Sequence, residues 1–76
     1  MNTSQPWQRQ ERNARLTNRQ REVLFLVSRG LRNAEIGKHL GVSERTVKWY
    51  MSQLLLIFDA TNRTELVGRG LQGDAD

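Results

Sequence analysis

The sequence predicts an all-α domain of four helices, and three observations carry that expectation. Apolar residues recur at helical spacing through the middle of the chain, as in "REVLFLVSRG". Thr17 and Asn62 are each followed three residues later by Gln20 and Glu65, the pattern of a capping box, and Ser43 precedes a third periodic run. Gly30 and Gly41 stand just beyond two of the runs, where a chain leaving a helix needs a left-handed residue.

The elements follow in order. The first helix opens at Thr17 in "LTNRQREVLFLVSRG", carries Val23, Leu24 and Val27 on one face, and stops at Arg29 and Gly30. "LRNAEIGKHLGVS" holds a short second helix whose inner side is Ile36, Gly37 and Leu40. The third occupies "ERTVKWYMSQLLLIF", residues 44 to 58, behind Ser43. A short fourth helix begins after Asn62 and runs through Leu66 and Val67. Around this compact region, residues 16–70, lie a polar and basic arm at 1–15 and an acidic tail at 71–76. The arm has only Trp7 and Ala14 as apolar bulk after the first Met, too little to bury a face, although Ser4 and Pro6 could begin a short helix. The end "GRGLQGDAD" has three glycines in nine residues and is expected to fray.

A chain of 76 residues has room for one domain with a thin core. It contains no cysteine, which excludes a disulfide framework and a thiolate zinc site and fits a cytoplasmic setting. No apolar run approaches the roughly 18 residues of a membrane span, and "MNTSQPWQRQ" lacks the order of a secretory signal. The initial Met suggests a complete chain, the alternative being an excised domain with an added Met. Charge divides unevenly: residues 1–58 hold 10 Lys and Arg against 4 Glu, a balance of +6, and residues 59–76 hold 2 Arg against 4 acids, −2, together the overall +4. A basic domain of this kind suits a polyanionic partner.

The third helix has two characters. At about 100° per residue, Val47, Met51, Leu54 and Phe58 fall on one stripe, flanked by Tyr50 and Ile57 on one side and Leu55 on the other. Lys48, Trp49 and Ser52 point away. Two helices joined by the tight turn "LGVS" form a helix-turn-helix, in which the second helix lies in the major groove of DNA with its N-terminal residues at the bases. The front half of the helix then reads and the back half packs.

These residues also resemble a family. "LT.R..EVL" at 16–24, "G..N.EI" at 30–36, "L.VS..TVK" at 40–48 and "NRTE" at 62–65 are similar, at the right spacing, to the LuxR/GerE-type (NarL/FixJ-like) DNA-binding domain of bacterial transcription regulators. The resemblance covers about 50 residues. It implies a four-helix domain that binds an inverted-repeat site on double-stranded DNA as a homodimer paired through its last helix. By position it places Lys48, Trp49 and Ser52 at base edges, and Asn33, Ser43, Arg45 and Thr46 on phosphates. The chemistry suits those roles: arginine neutralises phosphate, hydroxyls and amides orient on its oxygens, and lysine donates to guanine O6 and N7. The chain departs from the family at Tyr50, where a histidine is usual, and at Leu56 and Ile57, where basic residues are usual. Arg32 replaces a Ser or Thr helix start and Ala34 a common lysine.

Other chemistry finds little support. His39 is the single histidine and has no Cys or second His beside it for a metal site, so no cofactor or metal is expected. Glu22, Glu35, Glu44 and Glu65 lie one to a helix, unlike paired catalytic carboxylates. "GRGLQG" follows no strand and lacks the lysine and hydroxyl of a phosphate loop. No nucleophile stands with a base, so no enzyme is expected. Two functions remain: a stand-alone, sequence-specific DNA-binding regulator, or a protein-binding module derived from such a domain. The second would use a partner surface containing Phe25, Leu56 and Leu66, with Trp49 also exposed; against it, Leu56 and Ile57 would be covered by the last helix or by a dimer partner.

Overall fold

A computed structural model describes residues 15–75 of the chain, and the side chains of residues 15–70. The arm through Ala14, including the short helix expected from Ser4 and Pro6, lies outside the described residues. Four helices follow one another: α1 (Asn18–Ser28), α2 (Asn33–Leu40), α3 (Glu44–Ile57) and α4 (Arg63–Ala75). The described residues contain no strand, so the all-α expectation is met.

Each start has the cap expected of it, with two differences of chemistry. At α1 the Thr17 hydroxyl accepts from the Gln20 N–H at 3.1 Å, and Gln20 Oε1 accepts from the Thr17 N–H at 2.9 Å. At α3 Ser43 Oγ accepts from the Thr46 N–H at 3.0 Å. At α2 the cap residue is Arg32, whose side chain has no acceptor, so only the return bond forms: Glu35 Oε1 accepts from the Arg32 N–H at 2.7 Å. At α4 Asn62 Oδ1 accepts from the Glu65 N–H at 2.8 Å, but the Glu65 carboxylate reaches past Asn62 to the N–H and hydroxyl of Thr61, at 2.8 and 2.9 Å.

The ends share one device. Gly30, Gly41 and Asp59 take left-handed φ values of 90°, 75° and 54°. In each case the next residue's N–H turns back to a carbonyl five positions earlier: Leu31 to Leu26, Val42 to Gly37, and Ala60 to Leu55. These are Schellman closures, which satisfy carbonyls that the helix leaves open. Asp is among the few non-glycine residues that tolerate this region, because its short polar side chain bonds locally.

The core lies where the four helices converge. Val23, Leu24, Leu26 and Val27 from α1, Ile36 from α2, Val47, Met51 and Leu54 from α3, and Phe58 and Leu66 are buried together with Leu16. Tyr50, Leu55 and Ile57 flank the α3 stripe half-buried, as their positions on the helix predict. Leu66 corrects an expectation. Read as part of a partner surface, it has 0% of its area exposed and belongs to the core, because α4 turns that side towards the other helices. The fourth helix is also longer than two turns: it continues through Gly68, Gly70 and Gly73 to Ala75, so helix occupies 71–75, which was expected to fray. At Gly70 an added Cβ would meet Leu24 at 3.4 Å, so the helix backbone sits close on α1 there.

Gly37 is needed for a different reason. A Cβ at this position would lie 2.7 Å from the Val42 carbonyl oxygen and 3.4 Å from the Glu44 nitrogen, inside the turn that joins α2 to α3. The contact is backbone to backbone, so no side-chain rotation relieves it. Gly37→Ala should therefore destabilise the domain by about 1–3 kcal/mol despite alanine's better helix propensity, visible as a lower urea midpoint. Leu54→Ala, a truncation in the fully buried stripe, should cost about 2–5 kcal/mol by the same measurement.

A pH dependence follows from the α4 cap. The Thr61 N–H, then the Thr61 hydroxyl, and the charge of Arg69 hold the Glu65 carboxyl below its ordinary value of 4.5. The folded-state pKa is depressed, so the stabilisation is complete above the unfolded value and is lost as pH falls through the folded one. Thermal melts of the native chain should thus weaken from about pH 4.5 downward more steeply than those of Glu65→Gln, which carries no proton to take up.

Candidate nucleic-acid interface

The residues singled out in the sequence occupy two adjoining places. Lys48, Trp49 and Ser52 lie exposed on the outer face of α3, opposite the stripe that packs. Ser43, Arg45 and Thr46 form its beginning, and Asn33 forms the beginning of α2. A cleft of about 710 Å³ opens at the start of α2, lined by Arg32, Asn33, Ala34, Glu35 and Lys38, with Glu44 from α3 and Arg63 from α4; of the residues assigned to phosphates only Asn33 lines it. The N-termini of α2 and α3 meet here beside Arg32, Lys38 and Arg63, whose charge Glu35 and Glu44 partly offset.

Hydrogen bonding decides which donors remain free to meet an outside group. Ser43 accepts from the Thr46 N–H and donates its hydroxyl proton to Thr46 Oγ1 at 3.0 Å. The Thr46 hydroxyl accepts in this pair, and its own proton meets no protein acceptor among the described residues. Ser52 Oγ donates to the Trp49 carbonyl at 2.7 Å within the helix, so its oxygen faces outward as an acceptor. Arg32 and Glu35 make a loose ion pair of 3.8 Å, whereas Arg45 and Lys48 make none among the described residues. Trp49 is 57% exposed and meets Tyr50 edge to face, with ring centroids 5.1 Å apart at 66°. Tyr50 therefore fills the flank of the core and props the indole outward.

Two residues that the sequence reading did not assign prove central to this arrangement. Gln20, taken only as a cap, is buried, and its Nε2 donates to Gln53 Oε1 at 3.0 Å. It ties the start of α1 to α3 one residue beyond Ser52. Arg63, present in "NRTE" but passed over between two cap residues, donates from Nη1 to Asn33 Oδ1 at 2.8 Å and from Nη2 to the Leu31 carbonyl. Neither partner could be found from local spacing, since each bond spans 30 or more positions.

Of the candidate partner surface, Leu66 is buried, while Phe25 and Leu56 are exposed. Phe25 is 58% exposed on α1, beneath the Arg29 guanidinium at 5.8 Å, beside a small groove with Leu26, His39 and Leu40. Leu56 is 83% exposed near the end of α3. Leu56 stands uncovered, and Ile57 is half-buried against the core.

Comparison with known proteins agrees with the geometry. The description "Bacterial regulatory proteins, luxR family" matches residues 14–69. This chain belongs to that family. It is 48% identical over 52 residues to the two-component response regulator PprB of Pseudomonas aeruginosa, covering 68% of this chain and 19% of that protein. It is 43% identical over 61 residues to the transcriptional activator protein SolR of Ralstonia solanacearum, covering 80% of this chain and 26% of that protein. Against the response regulator Rre1 of a Synechocystis strain the identity is 46% over 56 residues, 74% of this chain and 24% of the relative. The chain thus spans about a quarter or less of these relatives' length. No solved structure gives a significant match. Among the described residues, no helix is long and apolar enough to cross a membrane.

Proposed function

We propose that this chain is a sequence-specific DNA-binding module that regulates transcription, with α3 in the major groove. The observation that carries the reading is the division of α3. Val47, Met51, Leu54 and Phe58 are buried on one side, while Lys48, Trp49 and Ser52 stand exposed on the other with Arg45 and Thr46 at the helix start. An exposed row of cation, aromatic and hydroxyl beside helix N-termini is what base edges flanked by phosphates require. Family membership and the names of its relatives, a response regulator and a transcriptional activator, support the same reading.

Each residue then has a task. Lys48 donates to guanine O6 and N7, Trp49 packs its edge on a thymine methyl, and Ser52 accepts from a base amino group. Arg45, the Thr46 hydroxyl and the Asn33 amide grip phosphates, and Ser43 acts mainly by fixing Thr46. Two copies pair through α4 on an inverted repeat. Because Leu66 is committed to the core, pairing would use the opposite face of that helix, where Thr64 and Gly68 are exposed.

A second reading rests on Leu56. An apolar side chain 83% exposed on the helix that faces DNA gains nothing from phosphate and would suit a protein partner, with Trp49 on the same face.

Selection of bound duplexes from a random pool tests the first reading. A recovered inverted repeat with half-site centres about 10–10.5 base pairs apart, or a multiple of that, is the expected result; single half-sites would count against pairing, and no motif at all would count against the reading. On the selected site Arg45→Ala should weaken binding to every sequence and make the salt slope shallower by about one unit. Lys48→Ala should cost about 1–3 kcal/mol and relax the choice at one base pair. Trp49→Ala should alter sequence preference. Were Trp49→Ala to spare every DNA affinity while Leu56→Lys abolished capture of a protein partner without lowering the melting temperature, the second reading would replace the first.

A further inference from the structure

We propose that Arg63 is a positioning residue for DNA binding: it sets the orientation of the Asn33 amide so that only its N–H donors can face a phosphate. The inference rests on the phosphate role of Asn33 proposed above and extends it to a residue on another helix.

The geometry begins with a fork. Arg63 is the first residue of α4, and its half-buried guanidinium crosses to the beginning of α2, 30 positions earlier. One nitrogen donates to Asn33 Oδ1 at 2.8 Å and the other to the Leu31 carbonyl. The two acceptors bracket the cap residue Arg32, so a single planar group holds both the approach to α2 and its first side chain. A guanidinium can only donate, so the atom of the Asn33 amide that faces it must be the oxygen. The NH2 end is thereby turned away from the guanidinium, and both residues line the cleft together with Arg32, Glu35, Lys38 and Glu44.

That choice of orientation matters for the ligand. Phosphate oxygens are acceptors only, and an asparagine presenting its carbonyl to one would repel it. Freed from Arg63, the amide could rotate, and each approach of a phosphate would have to select the right face. With the oxygen engaged, the donors are set in advance and little ordering remains to be done on binding. The carbonyl of Leu31, a second acceptor near the cleft, is silenced by the same group. A lysine would keep the charge but supplies a point of donors on a flexible stem, without the planar fork that spans two acceptors.

The arrangement also joins two functions. The residue that orients the phosphate donor sits at the start of the helix proposed to pair two chains, so a shift of α4 on pairing would be felt at Asn33.

Fluorescence anisotropy on the selected duplex tests this with Asn33→Ala, Arg63→Lys and the double variant, at a temperature where circular dichroism shows all three folded. Asn33→Ala should bind about tenfold more weakly, as expected for loss of a hydrogen bond to a charged group. Arg63→Lys should lose a comparable factor although its charge is kept, and the double variant should bind no more weakly than either single one. A merely structural role for Arg63 would lower the melting temperature without that coupling, and the two losses would then multiply. In the free protein, the side-chain NH2 resonances of Asn33 should be well dispersed and should collapse towards solvent values in Arg63→Lys. If Arg63→Lys binds like the native chain while Asn33→Ala is weakened, the positioning role is overturned and the phosphate role of Asn33 stands. If Asn33→Ala binds like the native chain, both fall, while selection of a motif by α3 would be untouched.

Discussion

The Gly37 backbone lies so close to the turn at Val42 and Ser43 that no side chain fits between them. That contact sets the turn from which the third helix departs. The chain has three residues, 41 to 43, in which to leave one helix and enter the next. It does so by laying the Val42 carbonyl against the bare Cα of Gly37, with the Val42 N–H bonded to the Gly37 oxygen at 2.9 Å. A side chain there would lever α3 away from α2. Ile36 and Val47, both fully buried, would then lose their places, and with them the angle at which Lys48 and Trp49 leave the surface.

Polar bonds complete what packing begins. The back of α3 is held by apolar contact, which fixes distance well but is non-directional. Its front has no such backing, because it must remain open. Gln20 reaches Gln53 of α3 at 3.0 Å, and Arg63 of α4 ties the start of the neighbouring α2 at Asn33, at 2.8 Å. Among the described residues no buried side-chain nitrogen or oxygen lacks a partner, so these bonds orient the surface without leaving an unsatisfied group behind. Rigidity at the front comes from amides and a guanidinium, and rigidity at the back from aliphatic side chains.

Much of this was legible in the sequence, and the exceptions have a common cause. Caps at Thr17 and Ser43, the stop at Gly41 and the buried stripe from Val47 to Phe58 are set by neighbours within a few positions, where periodicity and capping rules apply. The outward placing of Lys48, Trp49 and Ser52 follows from the same periodicity. What escaped depends on residues far apart in the chain. Leu66 on a short polar helix reads as a partner contact until α4 is seen folded back onto the core. Gln20 and Arg63 each serve as a local helix-start residue and as a long-range tie, and spacing reveals only the first role. The length of α4 was missed because three glycines argue against a helix by propensity alone, whereas one of them, Gly70, packs beside Leu24.

The three matching helix ends bear on how quickly this domain can form. Each left-handed residue closes its turn within the same helix, and the connections, 29–32, 41–43 and 58–62, are short. Little chain entropy is lost in bringing successive helices together, and most stabilising contacts are between near neighbours in sequence. Small helical domains of this kind fold in microseconds to milliseconds. Relaxation after a temperature jump should accordingly be fast and single-exponential. A chain that refolds on that timescale regains its binding-competent form far sooner than most proteins could be captured or degraded while open.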